Sequence, residues 1–254
     1  MLEALLEASV ALDAPELLEK ALTTAHFLDK TMLQKNGQLY RTYKNGEVRI
    51  PAFLDDYALL IRAYLQLYQH TLDEQWLEKA RLLTTFALDH FYDPAEQLFF
   101  YTSDQQSSLI ARKKEVQDNV IPSSNSVMAH NLFILGNLDF RDDYLEISDQ
   151  MLLKIAADML QYPASYSYWA SLFVQKVYPP YEVAILGHDY SAQLRKLRKP
   201  YLPNAIYLGG ADEGQMPLLK NKLVKGSTFI YVCQDKICQL PVREASAAIA
   251  QIKK

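Results

Sequence analysis

Two carboxylates stand side by side at Asp55 and Asp56, within Ile50-Pro51-Ala52-Phe53-Leu54-Asp55-Asp56-Tyr57-Ala58-Leu59-Leu60. The spacing predicts an amphipathic helix beginning near Ala52, so both acids fall in its first turn. Acids there complement the helix dipole and can cap free N–H groups. Adjacent like charges, partly buried, also raise the pKa of one member, as acid/base work requires. A carboxylate so placed can act as a general base or accept hydrogen bonds from sugar hydroxyls. Asp55 and Asp56 are the catalytic candidates, and the aromatic residues Phe53 and Tyr57 beside them are candidate substrate contacts. Position 59 is Leu, so the DDxxD magnesium motif is absent and no metal is expected.

A second polar stretch, Arg112 to Ser126, leads into another helix. Ser123 or Ser124 suits its N-cap. Capping does not explain Glu115, Asp118, Asn119 and Asn125 together, because so much polarity beside an apolar helix needs partners, either loops or a ligand. Asp118, Asn119, Asn125 and Ser126 are therefore candidate substrate contacts. His130 lies one to two turns inside that helix; a lone helical His is more often a packed core residue, and it joins the candidates on position alone. Arg41 and Tyr43, in an earlier hairpin, can reach over the same face. Cys233 and Cys238 form C-x4-C. Zinc would need two more ligands and only His188 is near, while redox pairs usually read CxxC. The expectation is two reduced thiols on adjacent strands, with no cofactor.

The elements that must position these residues are mostly helices. Leu2 to Leu12 has helical spacing, and Asp13 suits the N-cap of the next helix, with Pro15 just inside its start. That helix ends before Asn36-Gly37. Gln38 to Tyr43 followed by Asn45-Gly46 predicts a short β-hairpin. The Asp55 helix continues through Ile61, Tyr64 and Tyr68, apolar over much of its circumference. Asp73 caps its successor, which Asp93-Pro94 stops. Gln97 to Tyr101 predicts another short strand. The pattern repeats at a shift of 59 residues, from Leu18-Glu19-Lys20-Ala21 to Leu77-Glu78-Lys79-Ala80 and from Leu39 to Leu98. A third copy spans Ser123 to Leu138 and Asp142 to Leu160, and a seventh helix runs from Ser165 to Lys176. Hairpins repeating at this length build a solenoid or a closed toroid.

After Pro179-Pro180 the texture changes. Strands at Glu182–Gly187, Ala205–Gly210 and Phe229–Cys233 and helices at Tyr190–Arg198 and Glu244–Ile252 predict a small parallel α/β appendage. The division is a helical unit over 1–178 and a tail over 181–254. Ligands in such sheets sit past the carboxyl ends of strands, here Gly187-His188 and Gly209-Gly210. No GxGxxG or Walker sequence supports a nucleotide there.

The 254 residues carry a formal net charge of −4, with 50% hydrophobic and 22% charged residues. That is a globular composition without the basic field that nucleic acid requires. Arg195, Lys196, Arg198 and Lys199 form the longest basic cluster, expected on the solvated side of one helix. No apolar run reaches the length of a membrane span, and the first residues lack a basic leader, so the expected compartment is the cytoplasm. The 17 tyrosines fit a helical core or an aromatic cleft that stacks on a sugar ring.

Phe53-Leu54-Asp55-Asp56-Tyr57-Ala58, the stretch Asp118 to His130 with Pro122-Ser123-Ser124-Asn125-Ser126-Val127, and Tyr231-Val232-Cys233-Gln234 with Cys238-Gln239 together resemble the YyaL-type proteins, relatives of the spermatogenesis-associated thioredoxin-domain proteins. Position 124 is often Gly in that family. The resemblance covers essentially the whole chain. It implies a long protein with an N-terminal thioredoxin-like domain followed by an (α/α)6 toroid of the six-hairpin glycosidase type, related to sugar 2-epimerases. This chain resembles the C-terminal part, beginning within an inner helix. The expected fold is mainly α, a partial (α/α)6 toroid with a small C-terminal α/β appendage. The expected function is that of a carbohydrate-active domain, hydrolase or epimerase, taking a sugar-like ligand. The alternative is a non-catalytic scaffold that presents clients to the thioredoxin-like domain. The cut ring should expose an apolar, aromatic concave face and favour a homodimer or another partner.

Overall fold

Seven helices alternate between two environments in the computed structural model, which describes residues 1–106 and 111–252. They are α1 (Leu2–Ala11), α2 (Pro15–Thr31), α3 (Leu54–Thr71), α4 (Glu74–Phe91), α5 (Ser124–Asp139), α6 (Asp142–Gln161) and α7 (Ser167–Val177). α1, α3, α5 and α7 pack side by side in that order, and α2, α4 and α6 each lie against the preceding helix. The result is an arc of helical hairpins, a partial (α/α)6 toroid. Inner helices have neighbours on several sides, so α5 buries even Ser124, Asn125, Ser126, His130 and Asn131. Outer α2 buries only Ala21 and Ala25. In α3, Leu54, Ile61 and Leu65 are wholly buried, each contributing about 1.5–3 kcal/mol.

Local chemistry explains the helix ends. Asp73 accepts a hydrogen bond from Gln75 N at 3.1 Å, and the Ser123 hydroxyl accepts one from Ser126 N at 3.1 Å, both N-caps as expected. Asp13 departs from expectation. It does not cap α2, whose N-cap residue is Ala14. It adopts a left-handed conformation (φ 52°) that closes α1, with Asp13 N bonded to Val10 O and Ala14 N to Ser9 O. This paired closure satisfies the last carbonyls of a helix, and Asp tolerates the left-handed region better than most residues. Leu54, not Ala52, opens α3.

Between α2 and α3, β1 (Tyr40–Lys44) and β2 (Glu47–Pro51) form the expected hairpin, with Lys44 opposite Glu47. Asn45 and Gly46 turn with φ of 52° and 82°, the positive pair that a two-residue hairpin turn demands. Its counterpart after α4 is shorter than expected, β3 (Tyr92–Asp93) with β4 (Leu98–Phe99).

The tail contains β5 (Tyr181–Leu186), α8 (Tyr190–Arg198), β6 (Ala205–Gly210), β7 (Phe229–Gln234), β8 (Ile237–Cys238) and α9 (Ala245–Ile252). Its sheet order is β6-β5-β7-β8. Only β5 and β6 are parallel; β7 runs antiparallel to β5 and to β8, so the sheet is mixed, not the parallel one expected. The reason lies in residues 211–228, which hold one short 3-10 turn, Pro217–Leu219, in place of a crossover helix. Without a crossover the chain re-enters from the end at which β6 finished. Ser227 and Thr228 press against Gly187, where a Cβ would meet Ser227 O at 2.3 Å. Of the two strand ends considered for a ligand, the one at Gly187 is packed by Ser227 and Thr228.

One sheet face, with Ala184, Leu186, Leu208 and Cys233, joins the helical core. The opposite face packs Val183, Ile185 and Val232 beneath α8 and α9. Arg195, Lys196 and Lys199 are exposed as expected, but Arg198 is not. It shares the packed side of α8 with Leu194 and points inward, its side chain 12% exposed. Cys233 and Cys238 do lie on adjacent strands, directly opposite in register, but they are joined in a disulfide rather than reduced. Among the described residues no helix is long and apolar enough to cross a membrane.

Candidate functional site

The start of α3 divides the paired carboxylates into two roles. Asp56 turns back, its Oδ2 accepting from Phe53 N at 3.0 Å, and so caps the helix. Asp55 lines a cleft of about 740 Å³ together with Tyr101, Glu115, Asn119, Ser124 and Ser165. Arg41, carried by β1, donates from one nitrogen to Asp55 Oδ1 at 3.3 Å and Asp56 Oδ2 at 3.1 Å. Its guanidinium lies 5.2 Å from the centre of the Phe53 ring. Phe53 stacks on Tyr101, centroids 5.1 Å apart and planes within 14°. An exposed ion pair of this kind contributes about 0–1 kcal/mol, so its consequence is geometric: Arg41 orients both acids and flattens against the aromatic pair.

Burial holds the Asp56 carboxyl above the usual carboxylate range, and the neighbouring Asp55 adds to the shift. Phe53 N–H and Arg41 oppose it without cancelling it. Glu115, though exposed on its outer side, is also raised, first by partial desolvation in the cleft and then by Asp55. The cleft therefore places Glu115, whose pKa is raised, in one lining with Asp55, which a guanidinium contacts. Such an arrangement can donate a proton and accept one within the same site.

The polar stretch builds the wall of the cleft. Asp118 Oδ1 accepts from Ser123 N (2.9 Å) and Ser126 Oγ (2.8 Å), while Oδ2 accepts from Tyr168 N (2.8 Å) at the start of α7. Asn125 braces the neighbouring strand, accepting from Phe99 N at 2.7 Å and donating to Phe99 O at 2.9 Å and Glu115 O at 2.8 Å. Trp169 Nε1 donates to Val116 O at 2.8 Å, pinning the same stretch to α7. These bonds answer the question the sequence posed: much of this polarity is satisfied by neighbouring loops and helix ends.

The expected site residues thus fall into groups. Arg41, Phe53, Asp55 and Asp56 come together, with Asp118 and Asn119 along the cleft wall. Asn125 and Ser126 are buried behind it. Tyr57 is a core residue that accepts a hydrogen bond from Leu39 N at 2.8 Å and stacks on Phe86. Tyr43 lies edge-on to Phe27, centroids 5.4 Å apart. His130 occupies a different place, a pocket of about 180 Å³ shared with Arg62, Gln66, Asn131, Tyr168 and Gln175. Its Nε2 faces Tyr168 O at 2.9 Å, and burial pushes its pKa down to about 4. That pocket is lined mostly by polar side chains, while Phe173, Val174 and Val177 of α7 and Tyr178 just after it are among the exposed apolar residues.

Tyr101 and Glu115 are two cleft residues that sequence reasoning did not assign. Tyr101 reaches the site because its carbonyl accepts from Leu54 N at 3.0 Å, a long-range bond with no local signature. Glu115 was visible as part of the polar stretch but had no partner to define a role. Among the described residues no group of His, Cys, Asp and Glu has the arrangement of a metal site.

No family model matches the chain. It is 27% identical over 255 residues to mouse spermatogenesis-associated protein 20, covering 92% of this chain and 32% of that protein. The chain is similar in sequence to spermatogenesis-associated protein 20. The human protein is 26% identical over 90% of the chain, and an uncharacterized protein of Caenorhabditis elegans is 26% identical over 94%. The chain spans about a third of the length of the curated relatives it matches. Among solved structures, a GH76 alpha-mannanase from Bacteroides thetaiotaomicron aligns with a TM-score of 0.46 and 17% identity, over 61% of this chain and 41% of that one.

Proposed function

We propose that the cleft at the starts of α3 and α5 binds a sugar-like ligand and performs acid/base chemistry on it, as a hydrolase or epimerase. The observation that carries this reading is the pairing of Asp55 with a Glu115 carboxyl held above its usual range, beside the stacked Phe53 and Tyr101 rings. Tyr101, which lines the cleft, offers an aromatic face for a sugar, and Arg41 beside Asp55 a donor for its hydroxyls. Glu115 donates a proton to a leaving oxygen, and Asp55 takes one from water or from a carbon-bound hydrogen. The helical arc over 1–178 supplies the cleft, and the tail over 181–254 buttresses it.

A second reading is a non-catalytic binding domain within a longer protein that also carries a thioredoxin-like domain. The exposed apolar residues Phe173, Val174 and Val177 at the end of α7, followed by exposed Tyr178, favour it, because grouped apolar side chains on a surface mark a contact site. Saturation-transfer NMR with a panel of neutral mono- and oligosaccharides separates the two. Sugar signals that respond to wild-type protein and fade with Arg41→Ala support the cleft. A panel that is silent throughout leaves the scaffold reading in its place.

A further inference from the structure

The disulfide lies in a row of three chemically matched groups. Glu182 of β5 stands opposite Cys233 of β7, and Cys233 opposite Cys238 of β8. Residues directly opposite in antiparallel strands project to the same sheet face. The three side chains therefore follow one another across the sheet on the face that meets the helical core.

Their exposures differ in a useful way. Cys233 is 1% exposed, while Cys238 is part-exposed near the sheet edge. Glu182 is 4% exposed, and its Oε2 has no hydrogen-bond partner among the described residues. A buried carboxyl oxygen without a partner is costly unless it keeps a proton or serves one. Burial raises its pKa; Asp235 adds to the rise, while Lys236, through its backbone and its charge, opposes it. Lys236 is itself engaged by Asp142, 3.7 Å away, and by the Phe140 ring.

We propose that Cys233–Cys238 is a thiol–disulfide exchange site for a dithiol reductant, with Cys238 the sulfur attacked and Glu182 the acid serving Cys233. A thiolate of the reductant, its proton lost to water, attacks Cys238 Sγ. The S–S bond breaks and its electron pair leaves on Cys233 Sγ, which takes the proton of the Glu182 carboxyl. The second thiol of the reductant attacks its own sulfur in the mixed disulfide and expels Cys238, which takes that thiol's proton. Glu182 regains a proton from water. The protein disulfide is reduced by two electrons and the dithiol becomes a disulfide.

The test treats the whole chain with dithiothreitol, quenches with acid, and counts labelled thiols by mass spectrometry. Both cysteines should become reduced together while circular dichroism stays native. Glu182→Gln should slow the reaction by about tenfold or more, and Glu182→Asp should recover part of the rate. Glutathione, a monothiol, should leave its adduct on Cys238 of the wild-type protein, a readout that needs no variant. A bond that resists millimolar dithiothreitol in the folded protein overturns the proposal. So does a glutathione adduct on Cys233, or a Glu182→Gln protein that folds and reacts at the wild-type rate.

Discussion

Arg198 Nη2 donates a hydrogen bond to His70 Nε2 at 2.8 Å, across the join between the helical arc and the tail. His70 Nδ1, 2.8 Å from Gln66 O, is then the nitrogen that carries the proton. The imidazole is neutral by construction, and burial followed by the Arg198 charge pushes its pKa down to about 3. Arg198 also approaches Glu7 of α1 at 3.7 Å and the Tyr207 ring at 5.3 Å, so one residue of α8 ties the tail to both α1 and α3.

The sign of the pH effect follows. Unfolded His70 takes up a proton near its ordinary value of about 6.5, whereas folded His70 does not until about pH 3. The unfolded state binds more protons as pH falls, so stability present above pH 6.5 is lost below it. From pH 7 to pH 5 the loss from this residue is about 2 kcal/mol. Urea unfolding at the two pH values measures it. His70→Gln, which keeps an acceptor for Arg198 but cannot titrate, should remove about that much of the difference.

Asn125 tests how the cleft wall is held. Its side chain serves Phe99 N, Phe99 O and Glu115 O, all buried or nearly so. Asn125→Ala leaves these groups unpaired at roughly 1–3 kcal/mol for each one that water cannot reach. The melting temperature should drop by several degrees. Hydrogen exchange at Phe99 should speed up more than exchange at the middle of α3.

Gly136 of α5 sits tightly against Leu145 of α6. A Cβ there would meet Leu145 side-chain atoms at 2.7 Å and Arg141 O at 3.1 Å. Gly136→Ala should destabilise by about 1–3 kcal/mol through overpacking. Leu145→Ala removes the side-chain obstruction and leaves only Arg141 O, so the double variant should be more stable than the sum of the two single losses predicts. Denaturant midpoints of the four proteins complete the cycle.

What the sequence revealed depended on range. Local signals worked: Asn45-Gly46 dictated a two-residue turn, Asp73 and Ser123 marked helix starts, and Tyr190–Arg198 emerged as a helix with the expected bounds. The 59-residue repeat gave the hairpin architecture because each unit needs its neighbours to bury an apolar face. Relations between distant elements stayed hidden. Arg198 resembled its exposed basic neighbours until α8 was laid on the sheet. Asp13 suited a helix start by type, yet its left-handed backbone closes the helix before it. The cysteines met in register, which spacing alone does not reveal. Glu115 and Asp55 are brought together by Asn125 bracing one strand and Arg41 arriving from another.

That meeting of Asp55 and Glu115 is the centre of the functional account, and its charge coupling can be read without knowing the ligand. The measurement is a carbon-13 NMR titration of the Glu115 carboxyl in wild-type and Asp55→Asn protein. The Glu115 pKa should lie above the ordinary glutamate value in the wild type. It should fall part of the way back in Asp55→Asn, since the partial desolvation remains and the neighbouring charge does not. A Glu115 that titrates at the ordinary value, or one that ignores the loss of Asp55, would contradict the account.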